Sequence, residues 1–410
     1  MLSQIAELST GASAPQEVEC YDKGTVPFVR TADVGQVHYS INFKLAGDYL
    51  KEDVVRERGI TIFKKDTILI PKSGASTFLN HRVILGMDAA VSSHLATIHV
   101  TEANNKFVFY ALCLVKAENL TQNAGYPSLR LSDLGDCEIL LASEKEQERI
   151  AEILITLDEA IQETEGIITS AERLKKGLMQ TILVKGIPGR HKKFKRTNVG
   201  EIPEDWEVIT LDEILDLIKS GLSRLLNHGD VGVPCIRSTN IIDGKIDASD
   251  LKYWYWEDDQ GADVKTYVLD EGDILINFIN SLAQIGKSCV YHDIGRKVIY
   301  TTNLFRIKVN QNRILSEYFY YYTLTSKYQR DIVSITKPAV NQASFTSSDF
   351  RKLSIALPSL PEQRQIVTIL STLDLRIKYE SCKKAGLETL KKSLMQKLLS
   401  GEIRVKVEEN

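Results

Sequence analysis

The chain has 410 residues, of which 43% are hydrophobic, and a formal net charge of −3. This length suits two or three domains, and the charge argues against a protein that binds DNA by simple electrostatic attraction. There is no run of about eighteen apolar residues and no basic, apolar leader, so we expect a cytoplasmic protein without a membrane span or signal peptide. The six scattered cysteines form no Cys-x-x-Cys pair, which favours reduced thiols over a disulfide framework or a zinc site.

Charge is distributed unevenly along the chain. Residues 1–142 carry 13 basic and 16 acidic groups, and residues 201–358 carry 17 and 22, so both segments are acidic. Residues 143–200 carry 11 basic and 9 acidic groups, and residues 359–410 carry 10 and 7, so these are basic. If the chain binds nucleic acid, local patches or a partner must supply the positive charge.

In chain order, the sequence predicts two globular modules that alternate with two long helices. Short β-branched segments bounded by Gly, Asp and Asn indicate strands in the modules. Apolar residues recur every three or four positions in the helices, as a coiled coil requires. The predicted segments are module one (1–142), helix one (143–186), a basic linker (187–200), module two (201–358), helix two (359–400) and a C-terminal tail (401–410).

The two long helices are copies of one sequence. Residues 146–180 return as residues 362–396, and both contain Ile-Leu-x-Thr-Leu-Asp and Leu-Lys-Lys-x-Leu-Met-Gln. An internal repeat fixes the architecture. Because helix two must travel back to meet helix one, we expect an antiparallel coiled coil of roughly 60 Å with a near two-fold axis. The alternative is a core helix of an ordinary domain, for which forty uninterrupted residues are long. The residues expected to pair the helices are Ile150, Leu154, Leu157, Leu174, Leu178, Ile366, Leu370, Leu373, Leu390 and Leu394.

The two modules are related more faintly. Val26-Pro-Phe-Val-Arg-Thr resembles Val233-Pro-Cys-Ile-Arg-Ser, and Thr67-Ile-Leu-Ile resembles Asp273-Ile-Leu-Ile. Residues 72–85 and 278–290 lie between matched pieces and do not match each other. A shared strand scaffold with divergent loops gives one fold two specificities. The predicted fold class is α+β, with two mixed α/β modules held apart by the helices.

With these features the chain resembles the specificity subunit of type I restriction–modification systems over its whole length. The most specific stretches are Gly200-Glu-Ile-Pro-Glu-Asp-Trp-Glu-Val, Leu357-Pro-Ser-Leu-Pro-Glu-Gln-Arg-Gln-Ile and Leu394-Met-Gln-Lys-Leu-Leu-Ser-Gly-Glu-Ile. The resemblance implies two target-recognition domains, each reading half of a split DNA sequence. It also implies helices that set the spacer and bind two methyltransferase subunits. Module one departs from the pattern because it lacks the Gly-Glu-Ile-Pro-Glu-Asp-Trp opening.

The sequence contains no recognisable catalytic site. The Asn-Pro-Pro-Phe/Tyr motif of amino-methyltransferases and the G-x-G-x-x-G motif are both absent. Gly286-Lys-Ser lacks the first glycine of a phosphate loop, and the histidines lack metal-ligand spacing. We therefore expect no enzyme activity, no catalytic residue, no metal and no cofactor in this chain. The resemblance implies S-adenosylmethionine in the methyltransferase partner, and ATP and Mg in a restriction partner.

Divergent loops rich in Arg, Lys, Asn, Gln, Ser and Thr are the expected DNA-reading elements, because these side chains bind base edges and phosphates. Arg30 and Arg237 occupy matched positions after a strand, and they suit either a phosphate contact or a structural ion pair. In module one the other candidates are Lys72, Ser73, Ser76, Asn80, Arg82, Gln122, Asn123 and Tyr126. In module two they are Asn277, Asn280, Ser281, Gln284, Lys287, Lys337, Asn341, Gln342 and Ser344.

Two segments leave alternatives open. The basic linker, with Lys192 and Lys193, suits a solvated connector or a phosphate contact. Tyr253-Trp-Tyr-Trp and Tyr318-Phe-Tyr-Tyr-Tyr suit packing better than base stacking, because the first alternates like a half-buried strand and the second is typical of a core segment.

The sequence thus predicts a non-catalytic DNA-recognition and assembly subunit. Its expected partners are double-stranded DNA and two methyltransferase subunits, with translocating restriction subunits as optional further partners and no membrane. Two other functions compete with this one. A fused restriction or methylation enzyme lacks its motifs here, whereas a protein-only scaffold is compatible with the acidic modules.

Overall fold

The computed structural model describes residues 1–37, 39–116, 120, 128–338 and 342–406. It divides into two compact units, Met1–Gly166 with Ser381–Asn410 (unit 1) and Ile167–Glu380 (unit 2). Each unit therefore contains one predicted module together with parts of both long helices.

Unit 1 contains two sheets that share a core with short helices. Its strands are β1 (Ala6–Thr10), β2 (Val26–Val29), β3 (Tyr39–Phe43), β4 (Asp48–Leu50), β5 (Ile62–Phe63), β6 (Ile68–Pro71), β7 (Arg82–Leu85), β8 (Ala89–Val91) and β9 (Leu95–Val100). One sheet has the order β1-β9-β6-β7-β3 and the other β4-β2-β8-β5. The module helices are α1 (Thr31–Val34), α2 (Glu52–Glu57), α3 (Asn105–Leu114) and α4 (Leu131–Gly135).

Unit 2 repeats this plan with additional short strands. Strand β10 (Phe194–Thr197) precedes module two, and β11 (Gly200–Pro203) spans its first residues. The module strands are β12 (Glu207–Thr210), β13 (Leu215–Ser220), β14 (Val233–Ile236), β15 (Ile241–Ile242), β16 (Lys245–Ile246), β17 (Lys252–Trp254), β18 (Ile274–Asn277), β19 (Ile279–Asn280), β20 (Ser288–Val290), β21 (Ile299–Tyr300), β22 (Leu304–Val309), β23 (Lys337–Pro338), β24 (Ala343–Ser344) and β25 (Ser354–Leu357). Its helices are α6 (Ser316–Thr323), α7 (Ser326–Ile335) and α8 (Ser347–Arg351).

The two modules have the same strand order where their sequences match. The order β1-β9-β6-β7 in unit 1 corresponds to β13-β22-β18-β20 in unit 2, and every neighbouring pair is antiparallel. In the second sheets, β2 is antiparallel to β4 and parallel to β8, as β14 is to β17 and β21. The matched sequence pieces are thus equivalent strands of one scaffold.

The long helices are α5 (Glu144–Lys185) and α9 (Leu360–Leu399). The predicted ranges extend one residue beyond each of these bounds. In unit 1, Asp158 bonds Lys391 and Glu165 bonds Lys384. Seven residues forward along α5 therefore correspond to seven residues backward along α9, so these two segments are antiparallel. None of the helices among the described residues is long and apolar enough to cross a membrane.

The apolar stripes of the long helices pack mainly into the modules. In unit 1, Ile150 and Leu154 join the core of α3 and the sheet, together with Met395, Leu398 and Leu399 of α9. In unit 2, Ile366 and Leu370 join the equivalent core with Met179, Ile182 and Leu183 of α5. The ends of each stripe thus attach the helices to the modules.

Several expected helix-pairing residues are therefore placed differently from the prediction. Ile150, Leu154, Ile366 and Leu370 lie in module cores, and Leu178 and Leu394 pack against those cores while half-buried. Leu157 and Leu373 are half-buried. Leu174 is 53% and Leu390 is 47% exposed, where the sequence predicted burial. A helical period gives the face on which a residue lies but does not tell which neighbour covers that face.

Candidate nucleic-acid interface

In module one, the predicted reading loop joins β6 to β7. Its first residues pair with residues that follow the second predicted loop, through a bridge between Ser73 and Ser128 and a hydrogen bond from Leu129 N to Lys72 O of 2.7 Å. Ser73 also contacts His94 Nδ1 at 2.6 Å, which fixes the start of the loop. Ser76 and Asn80 are half-buried, and each bonds a backbone carbonyl of the loop itself.

In module two, the two predicted loops pair with each other. Strand β19 pairs with β24, which places Asn280 opposite Ala343, and Lys337 lies opposite Ser344 across β23 and β24. Ser281, Gln284, Lys287, Lys337 and Gln342 are exposed, and Asn280 and Ser344 are half-buried. Module two thus brings its two predicted loops together.

These loops differ in charge from the modules that carry them. Residues 72–82 contain Lys72 and Arg82 and no carboxylate, although residues 1–142 are net acidic. Residues 278–287 and 337–346 contain one lysine each and no carboxylate. A segment without acidic residues avoids like-charge repulsion with phosphates within the segment itself.

Two candidates are buried and unable to reach a base. Arg82 is 2% exposed, and its guanidinium donates to the carbonyls of Asn80 and Val115. Burial without an acidic partner among the described residues lowers its pKa from the usual value. Asn277 is also 2% exposed, and its Nδ2 donates to Gln284 O at 3.3 Å. Both support loop conformation, and the prediction that they read DNA is wrong because they lie at buried strand ends.

Arg30 and Arg237 form structural ion pairs at equivalent places. Arg30 bonds Asp48 and donates to the Tyr21 hydroxyl at 3.1 Å. Arg237 donates to the Asp250 carboxylate at 2.8 Å. The backbone N–H of each arginine also donates to a side chain three residues later, Asp33 or Asn240. Phosphate contact and structural ion pair were the two roles open to these arginines, and the structure provides the partners of an ion pair.

Four candidates, Gln122, Asn123, Tyr126 and Asn341, lie outside the described residues. The basic linker contains β10, which pairs with β11 at the start of module two, and Lys195 donates to Glu204 O at 2.8 Å. Within it, Lys192 and Lys193 are exposed.

The aromatic clusters divide between packing and exposure. In the first, Trp254 is 8% exposed, whereas Tyr255 is 49% and Trp256 41% exposed. In the second, Tyr318, Phe319, Tyr321 and Tyr322 all belong to the core of unit 2. The packing interpretation thus agrees with the second cluster and with half of the first.

The repeated Glu-Gln pair anchors each long helix to its module, a role that the sequence analysis did not assign. Gln147 Oε1 accepts from Asn104 N at 2.9 Å, and Gln363 Oε1 accepts from Leu315 N at 3.0 Å. Asn104 and Leu315 are the N-cap residues of α3 and α6. The glutamine therefore satisfies a backbone donor at the start of each module helix. The recurrence of Glu-Gln in both copies was the available signal.

The glutamate beside each glutamine binds the segment that follows the other long helix. Arg404, five residues after α9, donates twice to Glu146, at 2.8 and 2.6 Å. Glu362 is contacted by His191 Nε2 at 2.7 Å and by Trp206 Nε1 at 3.1 Å. Trp206 belongs to the Gly-Glu-Ile-Pro-Glu-Asp-Trp stretch that module one lacks. The equivalent glutamate of unit 1, Glu146, therefore has a different partner, Arg404.

His191, Asp205 and Glu362 are the one group within the described ranges whose ligand atoms converge as a metal site would require. Nδ1 of the histidine is 3.0 Å from Asp205, and Nε2 is 2.7 Å from Glu362. A metal ion would be bound by one ring nitrogen, whereas here each nitrogen faces a different carboxylate. The arrangement is that of a structural hydrogen-bonded bridge.

Several helix residues are identical in both copies although folding leaves them exposed. They are Thr156 and Thr372, Glu172 and Glu388, Leu174 and Leu390, Lys176 and Lys392, and Gln180 and Gln396. Glu172, Lys176 and Gln180 follow one another at four-residue intervals and so share a helix face. In unit 2 they border an open groove that also includes Met179 and Leu324. These identities lie at positions that neither module core covers.

Comparison with known proteins gives relatives of one kind. Over 409 residues the chain is 27% identical to the type I restriction enzyme MjaVIII specificity subunit of Methanocaldococcus jannaschii, covering 94% of this chain and 91% of the relative. It is 39% identical over 212 residues to a protein of the same organism described as the MjaX specificity subunit, covering 52% of this chain. That match spans about half, 49%, of the relative's length.

Solved structures share the fold at low sequence identity. The type I restriction–modification S subunit from M. genitalium matches 97% of this chain and 94% of its own, with a TM-score of 0.58 and 16% identity. A chain from a structure describing complex assembly and conformational transition of the type I R-M system covers 98% and 97%, with a TM-score of 0.56 and 18% identity. Residues 1–173 and 203–389 match the family described as the type I restriction modification DNA specificity domain. The family predicted from sequence is confirmed, and the chain belongs to the type I restriction–modification specificity subunits.

Proposed function

We propose that the chain reads a bipartite DNA target, with one module on each half-site. Each module would place its predicted loops in the major groove, with half-sites about one helical turn, roughly 34 Å, apart. In module two, exposed Ser281, Gln284 and Lys287 supply the donors and acceptors, and in module one the loop from Lys72 to Asn80 does so. The acidic surfaces elsewhere disfavour other DNA contacts.

One observation carries this proposal. The modules keep the same strand order, but their carboxylate-free loop segments, residues 72–82 in module one and residues 278–287 and 337–346 in module two, differ in sequence. The need to form one scaffold explains why the strands are shared, but it does not explain why the loops differ. Two versions of one reading surface suit two different half-sites.

We further propose that α5 and α9 form an antiparallel coiled coil that sets the spacer between the half-sites. The antiparallel contact of Asp158 with Lys391 and of Glu165 with Lys384 supports this in unit 1. In unit 2, Lys175 bonds Asp374 at 2.5 Å, which is the same pair of repeat positions with the helices exchanged.

The helices would also dock two methyltransferase subunits. The exposed residues that recur in both copies support two equal sites for one kind of partner. Catalysis would lie in the partners, with S-adenosylmethionine in the methyltransferase and ATP and Mg in a restriction subunit. The complex would work in the cytoplasm, and a flipped base would enter the methyltransferase pocket.

Exchange of residues 1–142 for the matching module of a relative tests the reading role. The methylated motif of cells that carry the chimera and the methyltransferase should change in one half-site and keep the other. The reciprocal exchange of residues 201–358 should change the opposite half. If either exchange alters both halves or neither, the modules do not read separate half-sites.

DNA affinity separates this function from a protein-only scaffold. Because both modules are net acidic, the isolated chain should bind a target duplex weakly and with little preference. Added methyltransferase should tighten binding strongly, with a steep dependence on salt from the phosphate contacts of the partner. A scaffold would show no specific binding in either condition.

A further inference from the structure

Each unit contains the same three-residue contact among a module helix and the two long helices. In unit 1 the Tyr110 hydroxyl donates to Asp158 Oδ2 at 2.7 Å, and Lys391 Nζ bonds Asp158 Oδ1 at 2.5 Å. In unit 2, Tyr321 donates to Asp374 at 2.7 Å, and Lys175 bonds Asp374 at 2.5 Å. We call each set a triad. Its tyrosine comes from α3 or α6, its aspartate from one long helix and its lysine from the other.

The triads are closely matched in geometry and environment. Lys391 lies 5.5 Å from the ring centre of Tyr110, and Lys175 lies 5.6 Å from that of Tyr321. Tyr110 is fully buried and Tyr321 is 4% exposed. Burial, and then the neighbouring carboxylate, raises the pKa of both phenols far above their usual value. The hydroxyls therefore remain donors at every physiological pH.

The tyrosine of the triad is the residue that the two module helices, α3 and α6, have in common. When α6 is aligned with α3 from their N-caps, Tyr321 and Tyr110 are the one identical pair among the eight helix residues of α6. Buried neighbours in the two helices differ, for example Val108 and Phe319. Core packing alone tolerates such exchanges of similar residues. The retained phenol thus serves a purpose other than filling space, and among the described residues its hydrogen-bond partner is the aspartate.

The triad is the second point at which each module helix is tied to its long helix. The first is the bond from Gln147 to Asn104, or from Gln363 to Leu315. The two points are six residues apart on the module helix, about 9 Å, and eleven apart on the long helix, about 16 Å. One tie lets a rigid helix pivot, whereas two ties fix its direction. Through the aspartate, the lysine then links the module helix to the second long helix.

We propose that Tyr110, Asp158 and Lys391, and equally Tyr321, Asp374 and Lys175, are positioning residues that set the angle of each DNA-reading module on the helices. They would control the spacer length that the complex accepts, without touching the bases that it reads. This inference rests on the proposed function. A hydrogen bond to a charged group contributes enough free energy to change an equilibrium by about tenfold or more.

The test measures methylation by the complex with its methyltransferase on duplexes whose half-sites are constant and whose spacer varies one base pair at a time. Tyr321→Phe and Lys175→Gln break different contacts of one triad. Each should lower the preference for the native spacer over its neighbours by about tenfold, with half-site bases unchanged. Tyr318→Phe is the matched control, because this buried tyrosine in α6 has a hydroxyl without a hydrogen-bond partner among the described residues.

The outcomes separate the inference from the function beneath it. If the native complex methylates no bipartite target, the proposed function is wrong and the inference falls with it. If the native complex shows a sharp spacer preference that both triad variants retain, the inference alone is wrong. It is equally wrong if Tyr318→Phe broadens the spacer as much as Tyr321→Phe does, because loss of stability would then explain both.

Discussion

The two copies of the repeat bind their equivalent glutamates, Glu146 and Glu362, through different partners. Glu362 is 1% exposed and is contacted by the buried side chains of Trp206 and His191, with the partly exposed Arg190 3.7 Å away. Glu146 is equally buried, but its partner Arg404 has a side chain that is 72% exposed. The first anchor is built from a segment within the chain, and the second from the tail after α9. The glutamate is thus the retained feature, and its cation or donor is replaceable.

The largest effect should follow from removal of the buried anchor. Glu362→Ala leaves the indole N–H of Trp206 and Nε2 of His191 without their partner in a buried site. Loss of one member of a buried polar pair costs about 3–5 kcal/mol of the free energy of unfolding. The three tryptophans, Trp206, Trp254 and Trp256, all lie in unit 2, so urea unfolding followed by their fluorescence reports this change.

The matched control is Glu146→Ala, which removes the equivalent residue in unit 1. Because solvent screens the exposed Arg404, this variant should lose less stability than Glu362→Ala. Tryptophan fluorescence should show little change in it. Equal losses in the two variants would mean that the two anchors do not differ in strength.

A second contrast is between repeated leucines that are buried and repeated leucines that are exposed. Leu154→Ala and Leu370→Ala empty fully buried sites and should each cost about 2–5 kcal/mol of unfolding free energy. Leu174→Ala and Leu390→Ala should change stability by about 0.5 kcal/mol or less. The exposed pair should instead weaken binding of the methyltransferase, measured by calorimetry. Normal partner binding by both exposed variants would remove the support for two equal docking sites.

The sequence predicted the repeat, both long helices, the related modules and the family, because each leaves a periodic or duplicated pattern. It did not predict that Ile150 and Leu370 face module cores, since a stripe does not identify its neighbour. It also placed Arg82 and Asn277 in reading loops. Their residue types suit DNA, but burial depends on contacts far apart in sequence. The anchors at Glu146 and Glu362 were visible as identities whose partners could be found only in the folded chain.

The reading loops offer a contrast between lysines inside and outside the proposed interface. If Lys337 in module two binds a phosphate, Lys337→Ala should lower the slope of log affinity against log salt by about one unit. Lys72→Ala should do the same in module one. Lys245→Ala removes the same charge from strand β16, outside the loops, so it is the control. Affinity of the assembled complex at several salt concentrations gives the slope, and equal slopes for Lys337→Ala and Lys245→Ala would place Lys337 off the DNA.

The smallest expected effect is the pH dependence of the contact between Arg404, in the C-terminal tail, and Glu146. The paired hydrogen bonds from Arg404 hold the pKa of Glu146 below its usual value of 4.5. A carboxylate whose pKa is lowered by folding stabilises the native state above that usual value, and this contribution fades as pH falls below it. Arg404→Ala should therefore loosen the start of α5 at pH 7, detected as faster amide exchange in residues 144–154. The difference from the native chain should shrink below about pH 4.5. Arg149→Ala is the control, because its partner Glu152 is exposed on the same helix. A difference between Arg404→Ala and the native chain that stays constant down to acid pH would show that Arg404 stabilises the helix by packing alone.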